Sequence, residues 1–187
     1  MIKELLKKNR SFRRFDRSVR ISREELADIV ETYRYTPSGM NYQPLKFYAV
    51  NDEKTVSGLF EHTGWASAVK DGKPVYEESP VAFIVICHDI NIGGCRDWDA
   101  GIASLALMER AAEMGYGGCI MGSFSKDRFK DLLDIKENLE PVLILALGKP
   151  AENVILTDAE NGNIAYYRDE KKNHYVPKRP LDEILIK

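Results

Sequence analysis

Histidine and cysteine are scarce in this chain, which has three of each among 187 residues. The histidines are scattered and show no metal-ligand spacing, so we expect no metal site. The cysteines form no Cys-x-x-Cys pair and are odd in number, which argues against a disulfide framework and favours a reducing cytoplasm. The residues concerned are His62, His88, His174, Cys87, Cys95 and Cys119.

Long apolar runs and the common catalytic motifs are also missing. No stretch of about 18 apolar residues occurs, so we expect no transmembrane helix and no membrane partner. The N-terminal residues contain no apolar h-region, so we expect no secretory signal. The dinucleotide-binding, P-loop, zinc-protease and serine-hydrolase patterns are absent from the sequence. The sequence therefore offers no evident acid–base or nucleophilic machinery, and we nominate no catalytic side chain.

The composition is that of one globular domain, residues 1–187. Apolar residues make up 44% of the chain and charged residues 30%, and this length allows a sizeable core. The net charge is −2, but residues 1–23 hold nine Lys or Arg against two acids, which gives +7 there and −9 elsewhere. Such a cluster on an acidic body suggests a specific anion site, while a solvated basic surface is an equally open alternative.

The pattern of apolar residues predicts an α+β fold with one central mixed sheet. Ser22 and Glu25 form a capping box that opens a helix ending near Tyr35. Residues 81–87 are a continuous apolar run, typical of a strand buried on both faces. Residues 100–114 form the longest predicted helix, which is apolar nearly all round, as in a core or a subunit interface. Further helices are predicted at 2–8, 52–60 and 125–133, and further strands at 47–50, 119–121 and 142–147.

The first candidate binding segment is Arg10-Ser11-Phe12-Arg13-Arg14-Phe15. Guanidinium groups with a hydroxyl between them suit a phosphate, since arginine offers a planar fork of donors and serine adds a short one. An exposed basic turn is the alternative interpretation. Nucleic-acid binding is a third and weaker one, because the rest of the chain is acidic and no recognised nucleic-acid motif follows.

Two further segments suit a planar ring. The loop from Thr36 to Pro44 has small residues that let a ligand approach the backbone, and Asn41 and Gln43 carry both donors and acceptors for a heteroaromatic edge. Residues 115–122 hold four glycines, which indicate close backbone packing. An ordinary turn, and a helix end followed by a strand, are the respective alternatives. Phosphate-binding and ring-binding elements without catalytic machinery fit a cofactor that brings its own chemistry.

In order along nearly the whole chain, five segments resemble motifs of the nitroreductase family of flavoproteins. These segments are Arg10-Ser11-Phe12-Arg13-Arg14-Phe15, Pro37-Ser38-Gly39-Met40-Asn41-Tyr42-Gln43-Pro44, Gly115 to Gly122, Leu145-Ala146-Leu147-Gly148-Lys149-Pro150 and Pro177-Lys178-Arg179-Pro180-Leu181-Asp182-Glu183-Ile184. Two positions depart from the family pattern. Gly39 stands where the family often has Ser, and Leu45 stands where many members have Trp.

This resemblance implies a nitroreductase-like fold, in which helices flank a central mixed, mainly antiparallel sheet and the C-terminal tail wraps the partner subunit of a homodimer. It also implies FMN at the subunit interface. Implied contacts to the phosphate and ribityl end are Arg10, Ser11 and Arg13, with Arg179 arriving from the tail. Implied contacts to the isoalloxazine ring are Pro37, Ser38, Gly39, Met40 and Asn41 of the partner chain, and the backbone amides of Met121 and Gly122 near flavin N5 and O4.

The implied activity is oxidation of NADH or NADPH by bound FMN, followed by reduction of a small electron-poor acceptor in a ping-pong sequence. Nitroaromatics and quinones are among the implied acceptors. The alternative is a flavin-binding protein without turnover, used for storage or regulation, and a nucleic-acid-binding protein is a weaker one. Residues 61–79 are expected to lie over the substrate face, where we interpret Trp65 and Tyr76 as packing residues more than as substrate contacts.

Overall fold

The computed structural model describes residues 2–66, 69, 71–94 and 96–186. Cys95 lies outside the described residues, and the other two cysteines are free, buried thiols. The helices are α1 (Ile2–Lys8), α2 (Arg23–Glu31), α3 (Glu53–Glu61), α4 (Arg96–Glu113), α5 (Lys126–Leu133) and α6 (Leu181–Ile184), with 3₁₀ turns at Thr32–Tyr35, Gly39–Asn41 and Tyr76–Glu78. The strands are β1 (Phe15–Asp16), β2 (Leu45–Val50), β3 (Ala82–Asp89), β4 (Gly117–Met121), β5 (Leu139–Pro150), β6 (Val154–Asp158), β7 (Tyr167–Arg168) and β8 (His174–Lys178).

A five-stranded sheet forms the centre of the described structure. Strand β5 pairs with β1 and β4 on one side and with β3 on the other, and β3 pairs with β2. These strand pairs are all antiparallel, and a parallel contact is added by the isolated bridge between Ser11 and Gly118. Strands β4 and β2 therefore lie on opposite edges of the sheet, and the predicted α+β fold with a mainly antiparallel sheet is confirmed.

Strand β3 is buried on both faces, as its apolar run predicts. Ile84 and Ile86 belong to the core shared with α2 and α4, whereas Phe83 and Val85 belong to the core shared with α3 and α5. All four side chains are 0% exposed. Burying an aliphatic or aromatic side chain of this size contributes about 1.5–3 kcal/mol, so this strand stabilises both helical layers at once.

Local signals placed several helix starts correctly. The capping box of α2 is present: the Ser22 hydroxyl accepts from the Glu25 N–H at 3.1 Å, and the Ser22 N–H donates to the Glu25 carboxylate at 2.8 Å. Asp52 caps α3 by accepting from the Thr55 N–H. Ser125 occupies the cap position of α5 but makes no side-chain capping bond.

The predicted boundaries of two elements need correction. Helix α4 begins at Arg96 and not at residue 100, because its first turn is polar and lies outside the apolar pattern. Strand β5 begins at Leu139 instead of residue 142 and runs on to Pro150, past its predicted end at residue 147. Strand β1 pairs with this extension through Phe15, whose ring lies so close to Gly148 that a Cβ there would come within 2.8 Å. A tertiary contact thus continues the strand past residues that locally favour a turn.

The tail forms a second, three-stranded sheet, with the order β6–β8–β7. Strands β6 and β8 are parallel and β7 is antiparallel to β8, with the Tyr167 and Tyr175 rings stacked at 4.9 Å between centroids. Contact of the tail with a partner subunit stays a prediction. Among the described helices, none has both the length and the apolar composition needed to cross a bilayer.

Candidate cofactor site

A cleft of about 290 Å³ opens at the C-terminal end of β4. Its walls include Arg13, the strand end at Met121 and Gly122, and Tyr166 from the tail. The Arg13 guanidinium lies 5.6 Å from the centre of the Tyr166 ring and donates to the Ser11 carbonyl at 3.1 Å. The structure thus brings Arg13, Met121 and Gly122 of the predicted site residues together.

The segment that carries Arg10 and Ser11 runs from the end of α1 to the edge of β4. Ser11 forms its bridge with Gly118 on that strand. Arg10 is half-buried, and its Nη2 donates to the Leu6 carbonyl of α1. Burial lowers the pKa of Arg10, and the charge of Glu109 on α4 opposes that shift. Among the described residues the buried Nε of Arg10 has no hydrogen-bond partner, so this side chain keeps an unused donor.

Arg179, predicted to reach the phosphate from the tail, pairs within the tail itself. Its Nη1 lies 2.8 Å from the Glu183 carboxylate, one turn further along the chain, and its side chain is 47% exposed. Arg179 is absent from the walls of the cleft as far as the described residues define them. A single chain therefore leaves Arg179 apart from Arg13.

A buried carboxylate, Glu152, fixes the backbone of the arginine segment. Its side chain is 3% exposed and accepts hydrogen bonds from the main-chain N–H groups of Arg13 and Arg14. Arg168 from the tail donates to the same carboxylate at 2.8 Å. Glu152 therefore connects the N-terminal segment to the tail next to Arg13, which lines the cleft.

His174 packs against Tyr166, the tail residue that lines the cleft, and its surroundings favour the neutral imidazole. It is 1% exposed, and its ring centroid lies 5.3 Å from that of Tyr166. Burial, together with the positive charges of Arg13 and Arg168, lowers the pKa of His174 below its ordinary value of 6.5, and Glu152 opposes this shift. Protonation of this imidazole is therefore unfavourable while the tail is folded.

Acidification should loosen this part of the tail. As the pH falls below about 6.5, the unfolded chain takes up a proton at His174 that the folded protein resists, so the free energy of unfolding falls. We expect the thermal midpoint to drop from about pH 7.5 to about pH 5.5, and His174→Asn to reduce that drop. His62→Asn is the matched control and should leave it unchanged. A drop of wild-type size in His174→Asn would contradict this assignment.

The predicted ring-binding loop, residues 36–44, leads into β2 and is anchored on α4. Asp99, 2% exposed in the first turn of α4, accepts from the Ser38 hydroxyl at 3.1 Å and from the Gly39 N–H at 3.2 Å. The Ser38 hydroxyl in turn accepts from the Gln43 N–H at 3.0 Å. One buried carboxylate thus holds both ends of the loop.

The same loop contains three non-glycine residues in the left-handed region. Their φ values are 49° at Met40, 59° at Asn41 and 50° at Gln43. Such backbone conformations cost on the order of 1–3 kcal/mol each and cluster where a site needs a preformed shape. Met40 is 85% exposed, so packing within this chain does not account for its conformation. Hydrogen bonds to Asp99 and within the loop, and not packing, therefore hold this conformation.

The cleft and the loop lie on opposite edges of the central sheet. The cleft is at the end of β4 and the loop leads into β2, with β5 and β3 between them. At about 4.8 Å per strand, three spacings separate the two edges by roughly 14 Å. One chain therefore does not bring Met121 and Gly122 next to residues 37–41.

Most of the chain, residues 6–86 and 93–149, matches the sequence profile of the Nitroreductase family. A protein of Methanothermobacter thermautotrophicus, whose name contains the words NADH dehydrogenase/NAD(P)H nitroreductase, is 32% identical over 158 residues. That match covers 80% of this chain and 78% of that protein. The chain belongs to the nitroreductase family. The family resemblance predicted from the five sequence segments is confirmed.

Two solved structures share the nitroreductase fold at low sequence identity. The nitroreductase family protein of Streptococcus pneumoniae TIGR4 matches with a TM-score of 0.71 over 100% of both chains, at 19% identity. A structure from Exiguobacterium sibiricum 255-15, solved in complex with FMN, gives a TM-score of 0.72 over 100% of this chain and 97% of that one, at 21% identity. The nitroreductase-like fold predicted for this chain is therefore confirmed.

Sequence reasoning missed Asp99 and Glu152 in this chain. Asp99 shares a buried helix stripe with Ala103 and Leu107, at intervals of four residues. Acidic side chains are rarely buried unless they are paired, so an acid on this apolar stripe could have indicated a structural role for Asp99. Apolar periodicity alone does not detect it. Glu152 follows β5 in a stretch without periodicity, and we find no local signal that could have identified it.

Residues 61–79 are described except for 67, 68 and 70. Trp65 packs on Phe60 with 5.9 Å between centroids, and it also lines the cleft at the end of β4. Tyr76 lies under the Arg17 guanidinium, 4.4 Å from the ring centre. The packing interpretation suits Tyr76, whereas Trp65 both packs and faces the cleft.

Proposed function

We propose that the chain is an FMN-dependent NAD(P)H oxidoreductase that acts as a homodimer and reduces small electron-poor acceptors. The observation that carries the proposal is the cleft where Arg13 meets the strand end at Met121 and Gly122, in a chain of this family. The name of the Methanothermobacter relative supports NAD(P)H as the electron donor, and the FMN in the Exiguobacterium structure supports FMN as the cofactor. Nitroaromatics and quinones are the acceptor classes we propose.

The residues around the cleft fit FMN. Arg13 lines the cleft, donates to one carbonyl and keeps further guanidinium N–H groups, whereas Arg10 is absent from the cleft walls as far as the described residues define them. A phosphate is the kind of acceptor that satisfies several guanidinium donors. The exposed loop at Met40 and Asn41 offers polar groups to the mixed donors and acceptors of a flavin ring. When bound, FMN supplies the redox chemistry, carrying a hydride from NAD(P)H on to the acceptor.

The chain itself contributes binding, orientation and electrostatics. Arg13 would hold the phosphate end, and the main-chain N–H groups of Met121 and Gly122 would face the ring edge, where fixed donors stabilise negative charge. Cys119 lines the same cleft, but burial raises the pKa of its thiol. The thiol is therefore protonated at neutral pH and acts as a small apolar wall, not as a nucleophile. We assign no side chain as a proton donor or acceptor.

A second copy of the chain would complete the site, because the loop and the cleft of one chain lie on opposite sheet edges. An apolar groove of about 490 Å³ runs between α1 and α4 and exposes Ile102 and Leu105. Exposed apolar surface of this kind is typical of a subunit contact, and a two-fold dimer would bury the groove on both copies. The homodimer, Arg179 as a phosphate ligand and the cytoplasmic location stay predictions.

Removing the Arg13 guanidinium should weaken FMN binding. A hydrogen bond to a charged group contributes about 1.5–3 kcal/mol, so Arg13→Ala should raise the FMN dissociation constant roughly 10- to 150-fold. Quenching of FMN fluorescence on titration measures this constant. Arg23→Ala, an exposed arginine at the start of α2, is the matched control and should leave the constant unchanged. Equal affinities in wild type and Arg13→Ala would remove Arg13 from the site.

The visible spectrum of the purified protein tests the proposed function most directly. We expect an oxidised-flavin spectrum, release of FMN at about one per chain, and oxidation of NADH or NADPH that continues once an acceptor is added. Flavin binding without NAD(P)H oxidation would favour a storage or regulatory protein. A colourless protein that takes up no FMN and binds nucleic acid in a salt-dependent way would refute the proposal and favour the nucleic-acid alternative.

A further inference from the structure

Asp99 is a buried acid whose described partners both belong to the ring-binding loop. Asp99 is 2% exposed, and no Lys or Arg among the described residues forms an ion pair with its carboxylate. Its two oxygens accept from adjacent positions, Oδ2 from the Ser38 hydroxyl and Oδ1 from the Gly39 N–H. Burying a carboxylate is costly unless donors surround it, so these two loop donors are what makes its burial tolerable.

The hydrogen bonds of Asp99 extend to the far end of the loop. Ser38, which donates to Asp99, also accepts from the Gln43 N–H, so the start and the end of the loop share one anchor. The residues between them, Met40 and Asn41, have positive φ values and little support from packing. Without the anchor, only hydrogen bonds within the loop, such as those from the Gln43 side chain to Asn41, would oppose relaxation toward the ordinary right-handed or extended regions.

The position of Asp99 in α4 connects the loop to the body of the protein. The next turns of the helix place Ala103 and Leu107 in the core, each 0% exposed, so the carboxylate is carried by a rigid element. A carboxylate on a fixed helix is suited to hold a strained loop in one shape.

We propose that Asp99 is a positioning residue that holds the Ser38–Gln43 loop in the conformation that presents Met40 and Asn41 to the flavin ring. This inference rests on the proposed function, because it assigns the loop to the cofactor. Asp99 acts through the loop and is not assigned a contact with FMN. Its role is to select one backbone shape before the cofactor arrives, which reduces the ordering that binding would otherwise require.

The test compares Asp99→Asn and Asp99→Ala with Asp97→Asn in the full-length protein. Asparagine keeps the shape but has one acceptor oxygen, whereas alanine has none, so the effects should increase from Asn to Ala. Asp97 lies two residues earlier on the same helix, is 74% exposed and pairs with Arg96, so it controls for a lost charge. Two quantities are measured: hydrogen exchange of the Gly39 and Gln43 amides without FMN, and the FMN dissociation constant.

We expect exchange at both loop amides to become about tenfold faster in Asp99→Asn and faster still in Asp99→Ala, with a matching rise in the FMN dissociation constant. Asp97→Asn should change neither quantity. Unchanged loop exchange in Asp99→Asn would overturn the inference, and so would faster exchange with unchanged FMN affinity. If the wild-type protein takes up no FMN, the proposed function is wrong and the inference fails with it. If the wild-type protein binds FMN but the Asp99 variants behave like wild type, only the inference is wrong, so the two failures are distinguishable.

Discussion

Gly118→Ala is expected to prevent stable folding of this protein. A Cβ at this position would lie 2.2 Å from the Ala146 carbonyl oxygen of β5 and 2.8 Å from a methyl group of Leu147. The first of these atoms is backbone, and it cannot move without breaking the β4–β5 ladder. The Gly118 carbonyl also accepts from the Phe12 N–H at 2.8 Å, so the arginine segment would shift with the strand.

The size of this effect follows from the stability of ordinary domains. A folded domain is stable by about 5–15 kcal/mol, and forced overlap with fixed backbone belongs to the rare substitutions that cost more than about 4 kcal/mol. Soluble yield and the urea midpoint measure the result. Gly58→Ala in α3 is the matched control, because its Cβ would meet only Leu132 at 3.5 Å. We expect this control to be as stable as wild type or more so, since alanine favours a helix by about 1 kcal/mol over glycine.

A Gly118→Ala protein that unfolds within about 1 kcal/mol of wild type would contradict this account. The close approach of β4 to β5 would then be looser than the described backbone, and the cleft at the end of β4 would need a different explanation. The result therefore also tests how firmly Met121 and Gly122 are placed.

Glu152→Ala should have the second largest effect on stability. The substitution leaves Arg168, whose side chain is only 12% exposed, without its buried carboxylate, and it leaves Arg14 with its pair to Glu78 alone. It also removes the acceptor of two main-chain N–H groups in the arginine segment. Removing one partner of a buried ion pair typically costs about 3–5 kcal/mol, because the remaining charge is uncompensated.

Chemical unfolding measures this loss, and limited proteolysis of the tail measures where it acts. Glu4→Ala is the matched control, because its pair with Lys7 is exposed and such pairs contribute about 0–1 kcal/mol. Glu152→Gln keeps one acceptor oxygen and should fall between the two. A loss in Glu152→Ala no larger than that in Glu4→Ala would show that the tail is held by other contacts, such as the stacked tyrosines of β7 and β8.

Both substitutions bear on the candidate site as well as on the fold. Gly118 and Glu152 hold the two sides of the cleft: the first fixes β4, and the second fixes the backbone that carries Arg13. Neither residue is assigned a contact with the cofactor. A cleft that depends on two such supports suits a cofactor site, since bound groups must be held within a fraction of an ångström of the productive geometry.

The sequence by itself determined the local elements and the family. The Ser22 and Glu25 capping box, the apolar run of β3 and the glycine-rich strand β4 all act over a few residues, so their effects can be read in order along the chain. The five motif segments, taken in order, identified the nitroreductase family before any contact was known. The same segments predicted Arg13, Met121 and Gly122, which the fold brings to one cleft.

The tertiary structure decided what no local pattern encodes. Strand order placed the cleft and the loop on opposite edges of the sheet, and pairing with β1 extended β5 through Gly148 to Pro150. The partners of Asp99 lie about 60 residues away and the two main-chain partners of Glu152 about 140, on the order of a whole domain's length. Hydrogen bonds of this range depend on how elements pack, and periodicity over a few residues carries no information about them.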